Sequence, residues 1–386
     1  MRSDKRLARL ALAALCGASW FSGGCALITD FDYDGIGGGG GAAGAGASGG
    51  TAGSGGMGGS GSASSAGGAG GSGGAGGSGP LAIHTGVKGT DNYGHIAVHG
   101  DHVYWVRNGA IARVPKTTDG SLPAEPLLDA SWGADFIAVD DAGVYYTQFG
   151  ATGDVASLEH GNSSPLNLST SEYNPIGLTV YNGSLYWAHY AAGAPIRTVA
   201  TAGPAGSASE IESGQPVPFF VAADESGVYW TYEGSDSTAA TGGVKKAGVM
   251  DPIIPSIHAP SSLALDATSV YVLDRDGAIW KGPKAMQGQI TQLAPAEEEI
   301  FSGRVAVDDK YVYWTGAGKD SCVTKQCMCP PSCGTIYRVD KSGMGTRDVV
   351  AEGDWGTAGD LAIDDTAIYW TTAKDARLFR IVKPSP

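Results

Sequence analysis

The residue types that could do chemistry are spread thinly along this 386-residue chain. Its seven histidines are scattered, and residues 80–386 contain no Gly-x-Ser-x-Gly elbow, no His-Glu-x-x-His motif and no phosphate-binding loop. We therefore expect no metal and no cofactor, and we favour a non-enzymatic protein. One possibility stays open, which is an enzyme whose site is assembled from several distant segments.

A second group of candidates consists of aromatic residues that recur just before an apolar triplet. Packing between structural units is one interpretation; the other is a ligand-binding mouth in which Arg304, Asp135 and Asp360 supply polar contacts. The candidate ligand-binding residues are Tyr93, Trp132, Phe136, Tyr173, Phe219, Phe301, Arg304 and Trp355, with Phe220 beside Phe219.

These aromatics belong to a repeat that occurs seven times. Each repeat ends in an apolar residue followed by a Tyr, and the steps between these tyrosines are 41, 41, 43, 42, 42 and 56 residues. The repeat tyrosines are Tyr104, Tyr145, Tyr186, Tyr229, Tyr271, Tyr313 and Tyr369. Repeats of about 40–45 residues made of short strands are typical of a β-propeller, in which each repeat is one blade.

The positions within the repeat predict how each blade is built. Counting back from the Tyr, positions −8 and −6 are apolar and position −7 is Ala in all repeats but one, which suits an inner strand covered on both faces. The Tyr and its neighbours form the second strand. Position −5 is Asp in five repeats, which indicates a structural turn or, alternatively, an acidic rim that binds cations.

The seventh repeat ends after its third strand, whereas residues 81–87 form a strand-like segment before the first repeat. We therefore predict an all-β, seven-bladed propeller over residues 80–386, with this N-terminal segment as the outer strand of the seventh blade. Such closure pairs the strand edges and holds both ends in one sheet.

The Val-Tyr-Trp-Thr segments at 228–231 and 312–315 resemble the YWTD-type propeller repeat of lipoprotein-receptor ectodomains. The resemblance covers about residues 80–383. The closing Asp of that motif occurs only at Asp274, and that family has six blades where this sequence has seven repeats. The resemblance implies architecture alone.

The first 24 residues have the pattern of a lipoprotein signal peptide. Four basic residues precede an apolar stretch from Leu10 to Phe21, and Ser22-Gly23-Gly24-Cys25 resembles the bacterial lipobox, in which the Cys becomes lipidated. Residues 25–79 then form a flexible Gly/Ala/Ser-rich linker. This arrangement resembles predicted surface lipoproteins of myxobacteria and implies a lipid anchor at Cys25 in the cell envelope, most simply the outer membrane or cell surface. Cleavage and release as a secreted or periplasmic protein is the alternative.

Cysteine and charge point to the same compartment. Four cysteines lie together at Cys322, Cys327, Cys329 and Cys333, which in an exported protein predicts two local disulfides rather than the alternative zinc site. The formal net charge of −14 argues against nucleic acid and against membrane contact other than through the anchor.

The sequence therefore predicts a monomeric, lipid-anchored envelope protein whose propeller is a binding or scaffolding module for a protein or glycan. The alternative is an extracytoplasmic hydrolase or lyase with a composite site in the central channel.

Overall fold

The computed structural model describes residues 79–86, 93–235, 239–285, 289–296, 303–316, 334–353, 355, 358–372 and 376–384. The predicted signal peptide, Cys25, nearly all of the predicted linker, the four clustered cysteines and Phe301 lie outside the described residues, as does the side chain of Tyr93. The described chain contains one short 3-10 helix, Ala130–Trp132, and no described helix is long and apolar enough to cross a membrane.

The described strands form seven four-stranded antiparallel sheets, which are the blades of the predicted propeller. From the axis outward, the strands of blades 1 to 3 are Tyr93–His99 (β2), His102–Arg107 (β3), Ala110–Pro115 (β4), Glu125–Leu128 (β5); Ile137–Val139 (β6), Gly143–Thr147 (β7), Gly153–Glu159 (β8), Leu166–Glu172 (β9); and Pro175–Tyr181 (β10), Ser184–His189 (β11), Ala192–Ala200 (β12), Ser209–Pro216 (β13).

The strands of blades 4 to 6 are Pro218–Asp224 (β14), Gly227–Tyr232 (β15), Gly242–Lys246 (β16), Ile254–Ile257 (β17); Ser262–Leu265 (β18), Ser269–Leu273 (β19), Ile279–Pro283 (β20), Thr291–Ala294 (β21); and Val305–Val307 (β22), Tyr311–Gly316 (β23), Gly334–Asp340 (β24), Asp348–Gly353 (β25). Those of blade 7 are Ala358–Ile363 (β26), Ala367–Thr372 (β27), Arg377–Val382 (β28) and Leu81–Thr85 (β1).

The closing strand predicted before the first repeat is confirmed. β1 pairs antiparallel with β28, with Leu81 opposite Arg380 and Thr85 opposite Arg377. The strand ends at Thr85, two residues short of the predicted 81–87 segment. Blade 7 is therefore built from both ends of the propeller chain, and β1 pairs the outward edge of β28.

Aromatic residues fill the wedges between neighbouring blades. The Trp that follows the repeat Tyr is less than 2 % exposed in all five blades that carry it: Trp105, Trp187, Trp230, Trp314 and Trp370. Clusters of buried side chains join adjacent blades, so each blade is stabilised chiefly by its neighbours. Truncating such a buried Trp to Ala costs about 3–5 kcal/mol in typical cores.

The Asp at position −5 has the structural role that its turn position predicts. Asp266 Oδ1 accepts the backbone N–H groups of Thr268 (2.9 Å) and Ser269 (2.8 Å), and Tyr271 donates its hydroxyl proton to Asp266 Oδ2 (2.8 Å). The same arrangement recurs around Asp308 and Asp364. The turn therefore fixes the distance between the inner and second strands.

At four of the seven blade junctions, a lysine from the next blade forms an ion pair with the Asp at position −5. Lys341 donates to Asp266 Oδ2 (2.8 Å), and its Nζ also lies 5.8 Å from the centre of the Tyr271 ring. We call each such Asp, Tyr and Lys group a latch. The latch ion pairs are Lys284–Asp224, Lys341–Asp266, Lys383–Asp308 and Lys116–Asp364, the last of which joins blade 1 to blade 7.

Candidate functional site

The residue at position −9 of each repeat stands where the inner strand begins. We call these seven residues the axial ring: His95, Phe136, Gly177, Phe220, Ser262, Arg304 and Asp360. All are buried except Phe220, which is half-buried. In blades 1, 4 and 7 the strand register shifts just before position −8, so the residue at −9 leaves the regular ladder.

The Thr of the repeat holds the axial ring in place. The backbone N–H of Arg304 donates to Thr315 Oγ1 (3.0 Å), and that of Asp360 donates to Thr371 Oγ1 (3.0 Å). Equivalent bonds join Phe136 to Thr147 and Phe220 to Thr231. The Thr two residues after the repeat Tyr thus satisfies a buried backbone donor, which is costly to leave unpaired.

Side chains of the axial ring meet across the propeller axis. The Arg304 guanidinium carbon lies 4.2 Å from the centre of the Phe220 ring and 5.3 Å from that of Phe136, and Phe136 stacks on His95 with ring centres 3.7 Å apart. These residues come from blades 1, 2, 4 and 6. Because residues of opposite blades are in contact, the axial ring narrows the channel at this level, where cation–π and stacking contacts hold Arg304 against the two phenylalanines.

Charged groups of the axial ring neutralise one another. Asp360 Oδ1 pairs with Arg304 Nε (3.0 Å), whereas Oδ2 lies 3.0 Å from His95 Nδ1 and accepts the N–H of Ile96 (3.0 Å). Burial opposes the ionisation of Asp360, but Arg304 and then His95 lower its pKa below the ordinary value. The structure therefore holds Asp360 as a carboxylate with both oxygens occupied.

His95 is neutral in this setting. Burial and then the Arg304 charge lower its pKa to about 4. Arg304 Nη2 lies 2.5 Å from Nδ1 and 3.3 Å from Nε2. Nδ1 also lies 3.0 Å from Asp360 Oδ2, so this ring nitrogen stands between the carboxylate and the guanidinium.

Asp135, directly before Phe136, is the exception to this mutual pairing. It is 3 % exposed, and its Oδ2 has no hydrogen-bond partner among the described residues. Burial raises the pKa of Asp135 to about 7, against the lowering effect of Arg304. Arg304 Nη1 is likewise buried without a partner in the described part of the chain. Within the described residues, Asp135 beside the axial ring and Arg304 in it therefore leave one acceptor and one donor unsatisfied.

Two groups of the sequence-predicted site residues lie away from the blade-crossing face. Phe136 and Arg304 meet in the axial ring, as do the neighbouring candidates Phe220, Asp135 and Asp360. Elsewhere, the Trp355 ring is buried against Trp370 and Phe379, with ring centres 5.6 and 5.2 Å away. The ligand-binding role of both groups stays a prediction.

Other predicted aromatics lie on the face where blades cross, which we call the crossing face. Phe219 is half-buried and packs edge-on against Tyr190 at 5.7 Å. Trp132 is half-buried in the 3-10 helix between blades 1 and 2, and Tyr173, between blades 2 and 3, is 53 % exposed.

Sequence reasoning missed His95, Gly177 and Ser262 as members of the ring. A signal was available, because position −9 changes chemistry in almost every repeat while position −8 stays apolar. Gly177 is required by geometry: its φ is +63°, and a Cβ there would lie 2.2 Å from the carbonyl oxygen of Phe219. Blade 3 thus brings backbone, not a side chain, to the ring. Within the described residues, no three His, Cys, Asp or Glu side chains are placed to hold a metal.

Comparison with known proteins identifies the fold class. No protein-family model and no curated protein matches the chain. A catalytically inactive variant of virginiamycin B lyase from Staphylococcus aureus, solved with quinupristin, matches with a TM-score of 0.59 and 12% identity over 78% of this chain and 98% of that chain. The WD40 propeller of Doa1 gives a TM-score of 0.53 and 12% identity over 80% and 97%. At such identities the likeness shows a seven-bladed β-propeller and no more.

Proposed function

We propose that this protein is a lipid-anchored envelope protein whose propeller is a non-enzymatic binding module for a glycan or protein. One observation carries the proposal. Most side chains at the axis that could act as a base or an electrophile already interact with one another. Asp360 is paired with Arg304, and His95 is neutral and stacked on Phe136. A surface of this kind suits recognition better than proton transfer.

The anchor is supported by the sequence alone. The basic residues, the apolar stretch and the lipobox-like segment before Cys25 favour export and lipidation, and the Gly-rich linker would let the propeller stand away from the membrane. The cysteine segment 322–333, with two expected disulfides, would then be exposed to an oxidising compartment.

The proposal is tested in two steps with the full chain in its bacterial host or a related one. Replacing Cys25 by Ala should abolish metabolic labelling with a fatty-acid probe, and persistent labelling would contradict the anchor. Purified full chain in mild detergent should then retain a component of envelope extract, and a chain that retains nothing above a blank resin would contradict the binding function.

A propeller lyase or hydrolase is the second candidate, and Asp135 favours it. A buried carboxyl with a pKa of about 7 and a free oxygen could accept or donate a proton near neutral pH. This candidate predicts that the chain releases new fragments from envelope glycans or peptides and that Asp135→Asn abolishes the release, as followed by mass spectrometry.

A further inference from the structure

A recess with a volume of about 200 Å³ lies between the outer strands of blade 1 and the turn that follows β8 in blade 2. All of its lining residues fall within 113–163, a stretch that the structure describes without a gap. Sites for drug-sized ligands take about 300–1,000 Å³, so the recess suits a smaller occupant, the size of one extended side chain.

The floor of the recess is apolar. Val144 and Leu158 are 1 % and 3 % exposed, Leu127 beside them is half-buried, and Pro126 lies at the surface. An aliphatic stem laid along this floor is removed from water, which favours binding. The occupant therefore needs an apolar stem.

The wall from blade 1 carries a neutral ion pair. Arg113 donates from Nε to Glu125 Oε2 (2.9 Å) and from Nη2 to Glu125 Oε1 (2.9 Å). Two parallel hydrogen bonds of this kind satisfy both charged groups. Neither Arg113 nor Glu125 therefore requires a charged partner from a ligand.

The wall from blade 2 carries a carboxylate without a cation. Glu159 Oε2 accepts from Asn162 Nδ2 (2.8 Å), whereas its Oε1 has no partner and no basic side chain pairs with it among the described residues. The turn is held by the N–H of His160, which donates to the Ala142 carbonyl (3.1 Å), and by the His160 side chain, whose Nε2 donates to the Asp140 carbonyl (2.9 Å). Glu159 therefore projects from a fixed turn, and it leaves the recess with one uncompensated negative charge.

An equivalent recess of about 170 Å³ between blades 5 and 6 shows which part of this arrangement is specific. Lys281 stands there in place of Arg113, since both lie opposite the repeat Tyr, and Lys341 stands in place of His160 as the first residue after the third strand. No carboxylate is among the described residues that line it. The repeat thus builds the recess, and blades 1 and 2 add the unpaired carboxylate.

We propose that the recess between blades 1 and 2 binds a lysine side chain of a partner protein. The aliphatic stem would lie on Val144 and Leu158, and the ammonium group would donate to Glu159 Oε1. Because only one oxygen of this carboxylate is free, a compact ammonium suits it better than the two-pronged guanidinium of arginine.

The surface around the recess is compatible with such a partner. Glu125, Pro126 and Ser163 line the recess and are exposed, so a side chain can enter while its own backbone stays outside. The net charge of −14 also favours the approach of a basic protein. The recess lies in the outer half of two blades, apart from the axial ring, and its ligand need not be that of the axial ring.

The test compares two capped amino acids that share a four-carbon stem and differ in the ammonium group. N-acetyl-lysine methylamide and N-acetyl-norleucine methylamide are titrated into the full chain in mild detergent near neutral pH and followed by saturation-transfer NMR, with detergent alone as the blank. We expect the lysine probe to bind about fivefold more tightly. Equal affinity for the two probes, or no binding of either, would overturn the inference.

Two variants locate the binding. Glu159→Gln should reduce the affinity for the lysine probe to that for the norleucine probe, because the ammonium group loses its carboxylate. Glu225→Gln, in an exposed turn of blade 4, is the matched control and should keep the lysine preference. Both glutamates are exposed, so neither replacement should change the unfolding temperature. A lysine preference that survives in Glu159→Gln would contradict the assignment to this recess.

Two further probes define the occupant. Capped arginine should bind more weakly than capped lysine, and a tighter arginine complex would overturn the choice of lysine. Cadaverine, a free diamine, should bind no more tightly than capped lysine, and a clear preference for it would exclude a protein partner. If the lysine preference is absent while the chain retains an envelope component, this inference fails and the proposed function stands. If the preference is present and no envelope component is retained, the reverse holds.

Discussion

The seven blade junctions fall into two groups that are held in different ways. Four junctions use the latch, in which an Asp of one blade forms an ion pair with a Lys of the next. The other three use contacts that do not repeat. Between blades 2 and 3, Glu172 Oε2 lies 2.5 Å from His189 Nε2 and Oε1 lies 2.5 Å from Arg197 Nη1. Between blades 3 and 4, the N–H of Gly248 donates to Glu212 Oε1 (2.7 Å).

The two groups differ mainly in burial. Latch aspartates remain about one-fifth exposed, whereas the side chain of Glu172 is fully buried. Burial opposes the ionisation of Glu172, but His189, Ser169 and Arg197 lower its pKa to about 2. An ion pair that stays partly exposed contributes little on its own, while breaking a fully buried one leaves a desolvated charge. The repeated latches are therefore individually modest, and the single buried cluster is individually essential.

The largest expected effect comes from the buried cluster. Glu172→Gln removes the negative charge between His189 and Arg197 and should lower the free energy of unfolding by about 3 kcal/mol, as measured in denaturant. The control is Glu210→Gln on the outer strand of blade 3, an exposed residue whose replacement should change stability by less than about 0.5 kcal/mol. A Glu172 effect as small as the control would erase the difference between the two groups of junctions.

A latch should contribute less to the free energy of unfolding than the buried cluster does. Lys341→Met removes one ion pair and one cation–π contact and should cost about 1 kcal/mol. A double-mutant cycle with Asp266→Asn should show coupling between the two residues of about 1 kcal/mol. If the two effects simply add, Lys341 and Asp266 do not act as a latch.

The acid sensitivity of a latch follows from its aspartate. Burial opposes the ionisation of Asp308, but Lys383 and the turn N–H groups lower its pKa to about 2. A depressed carboxyl pKa adds stability that is complete above the unfolded pKa near 4 and is lost as the pH falls towards 2. The stability difference between wild type and Lys383→Met should therefore stay constant from pH 7 to 5 and shrink from pH 4 to 3.

Lys245→Met is the control for this experiment, because Lys245 has no carboxylate partner in the described part of the chain. The stability difference between wild type and Lys245→Met should not change with pH in the acid range. A Lys383→Met difference that grows on acidification would contradict the latch.

The smallest expected effect is a gain in stability. At the junction between blades 2 and 3, Asp140 and Tyr145 are already in place, with the Tyr145 hydroxyl donating to Asp140 Oδ1 at 3.1 Å, but Thr201 occupies the position of the latch lysine. Thr201→Lys should complete a latch and raise the free energy of unfolding by about 0.5 kcal/mol. Thr201→Met, of similar length without charge, should not. Equal behaviour of the two variants would show that the ion pair contributes nothing at this junction.

Much of the fold could be predicted because it depends on local pattern. The Ala at −7 between apolar residues, the Asp turn and the buried Trp each reflect the environment of a strand in a stacked sheet, and the Tyr spacing gave the number of blades. Even the closing strand followed from the repeat, since a seventh blade one strand short leaves an unpaired edge that the segment before the first repeat can fill.

Less of the candidate site could be predicted. Phe136 and Arg304 were identified by type and position, and yet His95 looked like one of seven scattered histidines. Its partner Asp360 is 265 residues away, at the other end of the ring. Nothing local distinguishes an aromatic that packs between blades, such as Trp355, from one that reaches the axis, such as Phe136.

The amino-acid sequence by itself determined the blade: its strands, its turn, its core and the number of its copies. Only the closed ring decided which residues meet, because closure brings position −9 of all seven blades to one axis and places each latch lysine beside an aspartate 60 or 75 residues before it in blades 5 to 7. The strand pattern of each blade is determined by residues close together in the sequence. Charge pairing, burial and the unsatisfied Asp135 depend instead on contacts between distant residues, which form only when the seven sheets surround a common axis.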